Sequence, residues 1–67
     1  MKLPIISGKT LVKILIKKGY WIRNQKGSNI HLRHSEKKPL TVPNHKIISF
    51  GTLKEIMKSA GLKREDL

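Results

Sequence analysis

In the stretch Gln25-Lys26-Gly27-Ser28-Asn29-Ile30-His31-Leu32-Arg33-His34, apolar and polar residues alternate beyond a Gly-Ser pair. Side chains repeat every two residues along a strand, so this one buries Ile30 and Leu32 and presents Asn29, His31 and Arg33 together on the other face. The strand covers residues 29–33, and residues 25–28 supply the turn that leads into it. Upstream, Tyr20-Trp21-Ile22-Arg23 is aromatic and β-branched, which favours an extended partner strand. Downstream, the polar turn Ser35-Glu36-Lys37-Lys38 leads to a third short strand, Leu40-Thr41-Val42. Its bounding Pro39 and Pro43 suit strand ends, because proline cannot donate to a ladder. The three strands form an antiparallel meander with Ile22, Ile30, Leu32, Leu40 and Val42 on its inner face. With Ile22 inward, Tyr20 is inward too and Trp21 lies outside.

A helix is expected on each side of this meander. Leu11, Ile14 and Leu15 recur at helical spacing, Val12 and Ile16 widen the stripe, and Lys9, Lys13 and Lys17 take the polar side. Ser7 is a suitable N-cap and Gly19 a suitable left-handed stop, giving a helix over residues 8–18. After the loop Asn44-His45-Lys46-Ile47-Ile48, Ser49 caps a second helix in which Leu53, Ile56, Met57 and Ala60 keep the spacing of a buried face. Gly61 and Leu62 read as a Schellman stop, and residues 63–67 as a short helical turn or frayed end. The order is α-β-β-β-α, an α+β fold with a three-stranded antiparallel sheet and both helices on one face. The other face of the sheet is left for function.

The chain has 67 residues, 37% of them hydrophobic, which is room for a single domain over 1–67 with one thin core. It has no cysteine, which excludes disulfides and thiolate metal sites. Added stability must then come from close packing, from a partner or from a homo-oligomer, which the small core and exposed faces allow. Fifteen Lys and Arg oppose four Asp and Glu for a formal charge of +11, and the first thirty-five residues hold no acid at all. Such a field draws in polyanions through counterion release, while its self-repulsion opposes folding. No apolar run approaches membrane-spanning length and no secretory signal is legible, so a cytoplasmic chain without membrane contact is expected.

These features point to a surface that meets nucleic acid and can cut it. RNA carries its own nucleophile in the 2′-hydroxyl, so scission needs a base, an acid for the leaving 5′-oxygen, and cations for the phosphate. His31 is the candidate proton carrier, because imidazole exchanges protons near neutral pH. Arg33 from the same face and Lys26 from the turn are assigned to the phosphate, and Ser28 and Asn29 to holding the backbone near the scissile bond. Trp21, if exposed, offers a stacking surface for a base, and His45 lies in a loop from which it reaches RNA or solvent. His34 shapes the turn that follows the second strand. His31 and His34, three apart, point to opposite faces and have no carboxylate or Cys beside them, so no metal and no other cofactor is expected.

Five segments resemble the HicA-type mRNA interferase toxins of toxin–antitoxin pairs: Ser7-Gly8-Lys9, Gly19-Tyr20, Gln25-Lys26-Gly27-Ser28, Val42-Pro43 followed by His45, and Gly51-Thr52-Leu53 with Ala60-Gly61-Leu62. They come in that family's order across almost the whole chain. The resemblance implies a double-stranded-RNA-binding-like fold and a metal-independent endoribonuclease acting on mRNA. It also implies a histidine on the second strand and silencing by a HicB-type antitoxin. In that family the histidine usually follows the Gly-Ser pair, where this chain has Asn29. Asparagine can orient a hydroxyl or phosphate but cannot exchange a proton. His31, one step along the same face, is the candidate for that role. A non-catalytic RNA-binding module, or a degenerate toxin of the same fold, is the alternative. A DNA-associated protein is a remoter one, since neither helix has helix-turn-helix spacing.

Overall fold

The computed structural model describes residues 4–67. It runs through α1 (Gly8–Lys17), β1 (Trp21–Lys26), β2 (Asn29–Arg33), β3 (Leu40–Pro43), α2 (Phe50–Ala60) and a closing 3₁₀ turn (Arg64–Asp66). The expected α-β-β-β-α order is therefore the observed one. The shortest dimension, 17 Å, fits one layer of helices on one sheet, given the roughly 10 Å that separates packed layers.

Both ends of α1 have a local cause. Ser7 has an extended backbone and its hydroxyl accepts from the Thr10 amide at 3.2 Å, satisfying one of the free donors of the first turn. At the other end Gly19 adopts φ 99°, and the Tyr20 amide turns back to the Leu15 carbonyl at 3.1 Å. For α2 the stop works the same way, with Gly61 at φ 68° and the Leu62 amide on the Met57 carbonyl at 2.8 Å. The ammonium of Lys37, from the β2–β3 loop, adds a hydrogen bond to the Ala60 carbonyl at 2.6 Å, placing a cation at the negative pole of α2. Ser49 holds the cap position of α2, but its hydroxyl donates to the Thr52 hydroxyl at 3.0 Å and makes no bond to a backbone amide.

The sheet has the order β1-β2-β3 with both pairs antiparallel. Ile30, Leu32 and Val42 point under the helices and are buried against Leu11, Val12 and Leu15 of α1 and Leu53, Ile56 and Ala60 of α2. Tyr20, Ile48 and Leu62 complete the core. Truncating any of the fully enclosed leucines, such as Leu11 or Leu32, to alanine removes about 2–5 kcal/mol of stability.

Three expectations about the elements are corrected. β1 continues to Lys26 where a turn was expected, and the turn itself is only Gly27 and Ser28. Positive φ occurs at Gly27 alone of these two, as in the II′ turns whose twist suits a hairpin. Ile22 pairs with the buried Leu32, yet it is 49% exposed, because β1 is an edge strand that the helices do not cover. Ile16 is likewise 47% exposed, on the margin of the α1 stripe.

Candidate nucleic-acid interface

Residues paired across antiparallel strands share a face, so the register reads out the uncovered side of the sheet. Trp21 pairs with Arg33, Asn24 with His31 and Lys26 with Asn29 on one side, while Thr41 pairs with His31 and Pro43 with Asn29 on the other. His31, Arg33 and Asn29 thus stand together away from the helices, as the alternation predicts. The register slips once, between Ile22 and Asn24, so Arg23 is an extra residue in β1. Without that slip Lys26 would turn toward the helices; with it, Lys26 joins His31.

A shallow depression of about 320 Å³ opens on this face, and its lining includes Arg23, Asn24, Lys26, His31, Arg33 and Thr41. Three cations and an imidazole share it, and no carboxylate is among its walls. Such a concentration of positive charge on one concave surface favours an anionic ligand. His31 is half-buried, with Nδ1 3.1 Å from the Thr41 hydroxyl. A hydroxyl accepts as well as donates, so with the proton on Nδ1 the ring donates to Thr41 and Nε2 is free as a base; the imidazolium formed when Nε2 takes a proton keeps the same contact and is the acid.

The other residues singled out from the sequence are separated from this group. Trp21 is 49% exposed at the Arg33 end of the outer face, outside the depression. Ser28 lies in the hairpin turn, where its carbonyl accepts from the Asn44 amide at 2.6 Å. His45 is on a different part of the molecule, in a cleft with Ser7, Lys9 and Lys46, and its carbonyl accepts from the Gly8 amide at 2.9 Å. His34 is structural. Its Nδ1 accepts from the Glu36 amide at 3.0 Å, which leaves Nε2 to donate to the Lys18 carbonyl at 3.2 Å, and its ring meets Tyr20 edge-on with centroids 4.7 Å apart. Arg23, Asn24 and Thr41 were not singled out from the sequence. Thr41 was readable as alternating with the inward Leu40 and Val42, and Arg23 as alternating with Ile22, but nothing in β1 alone announces the slip that turns Asn24 and Lys26 to this face.

Among the described residues, no three of His, Cys, Asp and Glu stand close enough to hold a metal ion, and no helix is long and apolar enough to cross a membrane. The family model described as HicA toxin of bacterial toxin-antitoxin matches residues 8–62 of the chain. The chain belongs to the HicA toxin family. No curated protein matches it. The matched span includes the whole sheet and every residue of the outer depression. As a HicA-family chain it is the toxin of a toxin–antitoxin pair, with an antitoxin as its partner.

Proposed function

We propose that the chain is a metal-independent endoribonuclease of mRNA, acting in the cytoplasm and silenced by a HicB-type antitoxin that covers the outer face of the sheet. His31 takes the proton of a 2′-hydroxyl through Nε2; the 2′-oxygen forms a bond to phosphorus, the bond from phosphorus to the 5′-oxygen breaks, and the departing oxygen takes a proton from solvent. Arg33 and Lys26 bear the phosphate charge, and Asn29 orients the backbone beside the scissile bond. The observation that carries this reading is a solvent-facing imidazole, buttressed at Nδ1 by Thr41, in a depression walled by cations and free of carboxylates.

A second reading, a non-catalytic RNA binder, is favoured by Asn29 at the position after Gly27-Ser28 where members of this family usually carry histidine. A cleavage assay on single-stranded RNA in chelator separates the two. Under the first reading the unmodified chain cuts and His31→Ala is slower by about 10²–10⁴-fold, the usual contribution of a positioned acid or base. Cleavage by Asn29→His alone selects the second.

A further inference from the structure

The bulge in β1 sets Arg23 and Asn24 together opposite His31. Every other cation of the depression stands away from that level. Arg33 is two residues along β2 from His31 in one direction, and Lys26, paired with Asn29, is two residues away in the other. At the usual rise of a strand each lies about 7 Å from the His31 level, whereas the neighbouring strand is only about 5 Å across. Adjacent phosphates of an extended single strand have a comparable separation to the first of these distances. Arg23 itself lines the depression, is exposed, and has no carboxylate among the lining residues to neutralise it.

We propose that Arg23 is the catalytic cation of the reaction, gripping the phosphate that His31 addresses, while Arg33 and Lys26 hold the phosphates on either side. The inference rests on the RNA-cleaving reading above and redistributes its phosphate contacts. A guanidinium presents a planar fork that matches two non-bridging oxygens at once, and charge on those oxygens grows as the 2′-oxygen attacks. The bulge therefore turns Lys26 outward while Arg23 stays at the level of the imidazole, where the pairing of Ile22 with Leu32 places it with or without the slip. Three successive phosphates of a single strand laid along β2 are then matched by three cations, with the reacting one in the middle.

The proposal separates the three cations in two measurements. In steady-state cleavage, Arg23→Ala lowers kcat by about a hundredfold, as loss of one transition-state donor does, whereas Arg33→Ala and Lys26→Ala act mainly by raising KM. The second measurement needs no cleavage. A single-stranded oligonucleotide with one 2′-deoxy position is scanned with a neutral methylphosphonate at each phosphate in turn. The unmodified chain loses affinity at three consecutive positions; Arg23→Ala abolishes the loss at the central one, and the other two variants abolish it at the flanks. The exposed Lys13→Ala, on α1, retains the full pattern. A scan without positional pattern, or an Arg23→Ala scan that matches Lys13→Ala, overturns the proposal. A chain that gives the three-phosphate pattern but does not cut RNA leaves Arg23 at the central phosphate and sinks the ribonuclease reading instead. Circular dichroism confirms that each variant remains folded.

Discussion

The Tyr20 hydroxyl is buried and finds no hydrogen-bond partner among the described residues, although its ring is well placed against His34. An unsatisfied buried hydroxyl costs about 1–3 kcal/mol, so Tyr20→Phe keeps the ring contact and is expected to raise stability by about 1 kcal/mol in urea denaturation. Burial also pushes the phenol above its ordinary value of 10.0. The unfolded chain then gives up this proton before the folded one does, so stability falls as pH rises past 10.0. That part of the alkaline loss should vanish in Tyr20→Phe. Tyr20 is the only tyrosine, so phenolate absorbance reports it alone, and a midpoint at or below 10.0 contradicts the argument. Residue by residue, the site was half legible. His31, Asn29 and Arg33 follow from a period of two, which is local information. Arg23 and Thr41 do not, because their place opposite His31 depends on how β1 and β3 pair with β2. Thr41→Val, which keeps the shape and removes the hydroxyl, should lower cleavage about tenfold and alter its pH profile if the ring needs that partner. An unchanged profile would assign Thr41 to packing alone.

At the scale of elements, α1 enters the fold through a close contact that its sequence does not disclose. A Cβ added at Gly8 falls against the Pro43 carbonyl oxygen well inside van der Waals range, with the Asn44 Cα also in contact. That neighbour is backbone, tied in turn to the hairpin by the Asn44 amide on the Ser28 carbonyl. Gly8→Ala, which favours helix formation by about 1 kcal/mol in isolation, is therefore expected to destabilise the protein by about 1–3 kcal/mol through overpacking. Thermal unfolding decides the sign. The terminal 3₁₀ turn is held differently, by the Lys63 amide on the Asp66 carboxylate at 2.8 Å and by the Lys18 ammonium at 3.0 Å. The Lys63 amide bond and then the Lys18 contact hold the Asp66 carboxyl below its ordinary 3.8. Its contribution is complete above 3.8 and is lost as pH falls through the lowered folded value. Amide exchange at Leu67 should accelerate in that acid range, and Asp66→Asn should already exchange fast at neutral pH. Helix ends were readable from the sequence because Ser7, Gly19 and Gly61 act within one turn. The course of β1 was not, since an edge strand with a bulge has no single apolar face to mark it.

For the whole molecule the dominant quantity is charge. A formal +11 on 67 residues repels itself in the folded state and attracts polyanions, and both effects fade as salt shortens the screening length to about 8 Å at physiological strength. Salt should therefore act in opposite directions on two measurements: the melting temperature rises, and the affinity for single-stranded RNA falls with a slope of about −0.7 in log-log form for each phosphate held. A melting temperature that falls with salt, or binding that ignores it, contradicts this picture. The α-β-β-β-α order and the uncovered sheet face were legible at this scale, because two amphipathic helices and one small sheet have few ways to share a core.

Both outer strands of this sheet have an open rim, and an open rim is a template on which a further copy can anneal. β3 ends at Pro43 and is preceded by Pro39, neither of which donates to a ladder. β1 is longer, and its irregularity at Arg23 breaks the even spacing of donors and acceptors that an incoming strand would need. A variant with residue 23 deleted should scatter light at concentrations where the parent solution stays clear. The extra arginine thus doubles as a guard against fibrous self-association.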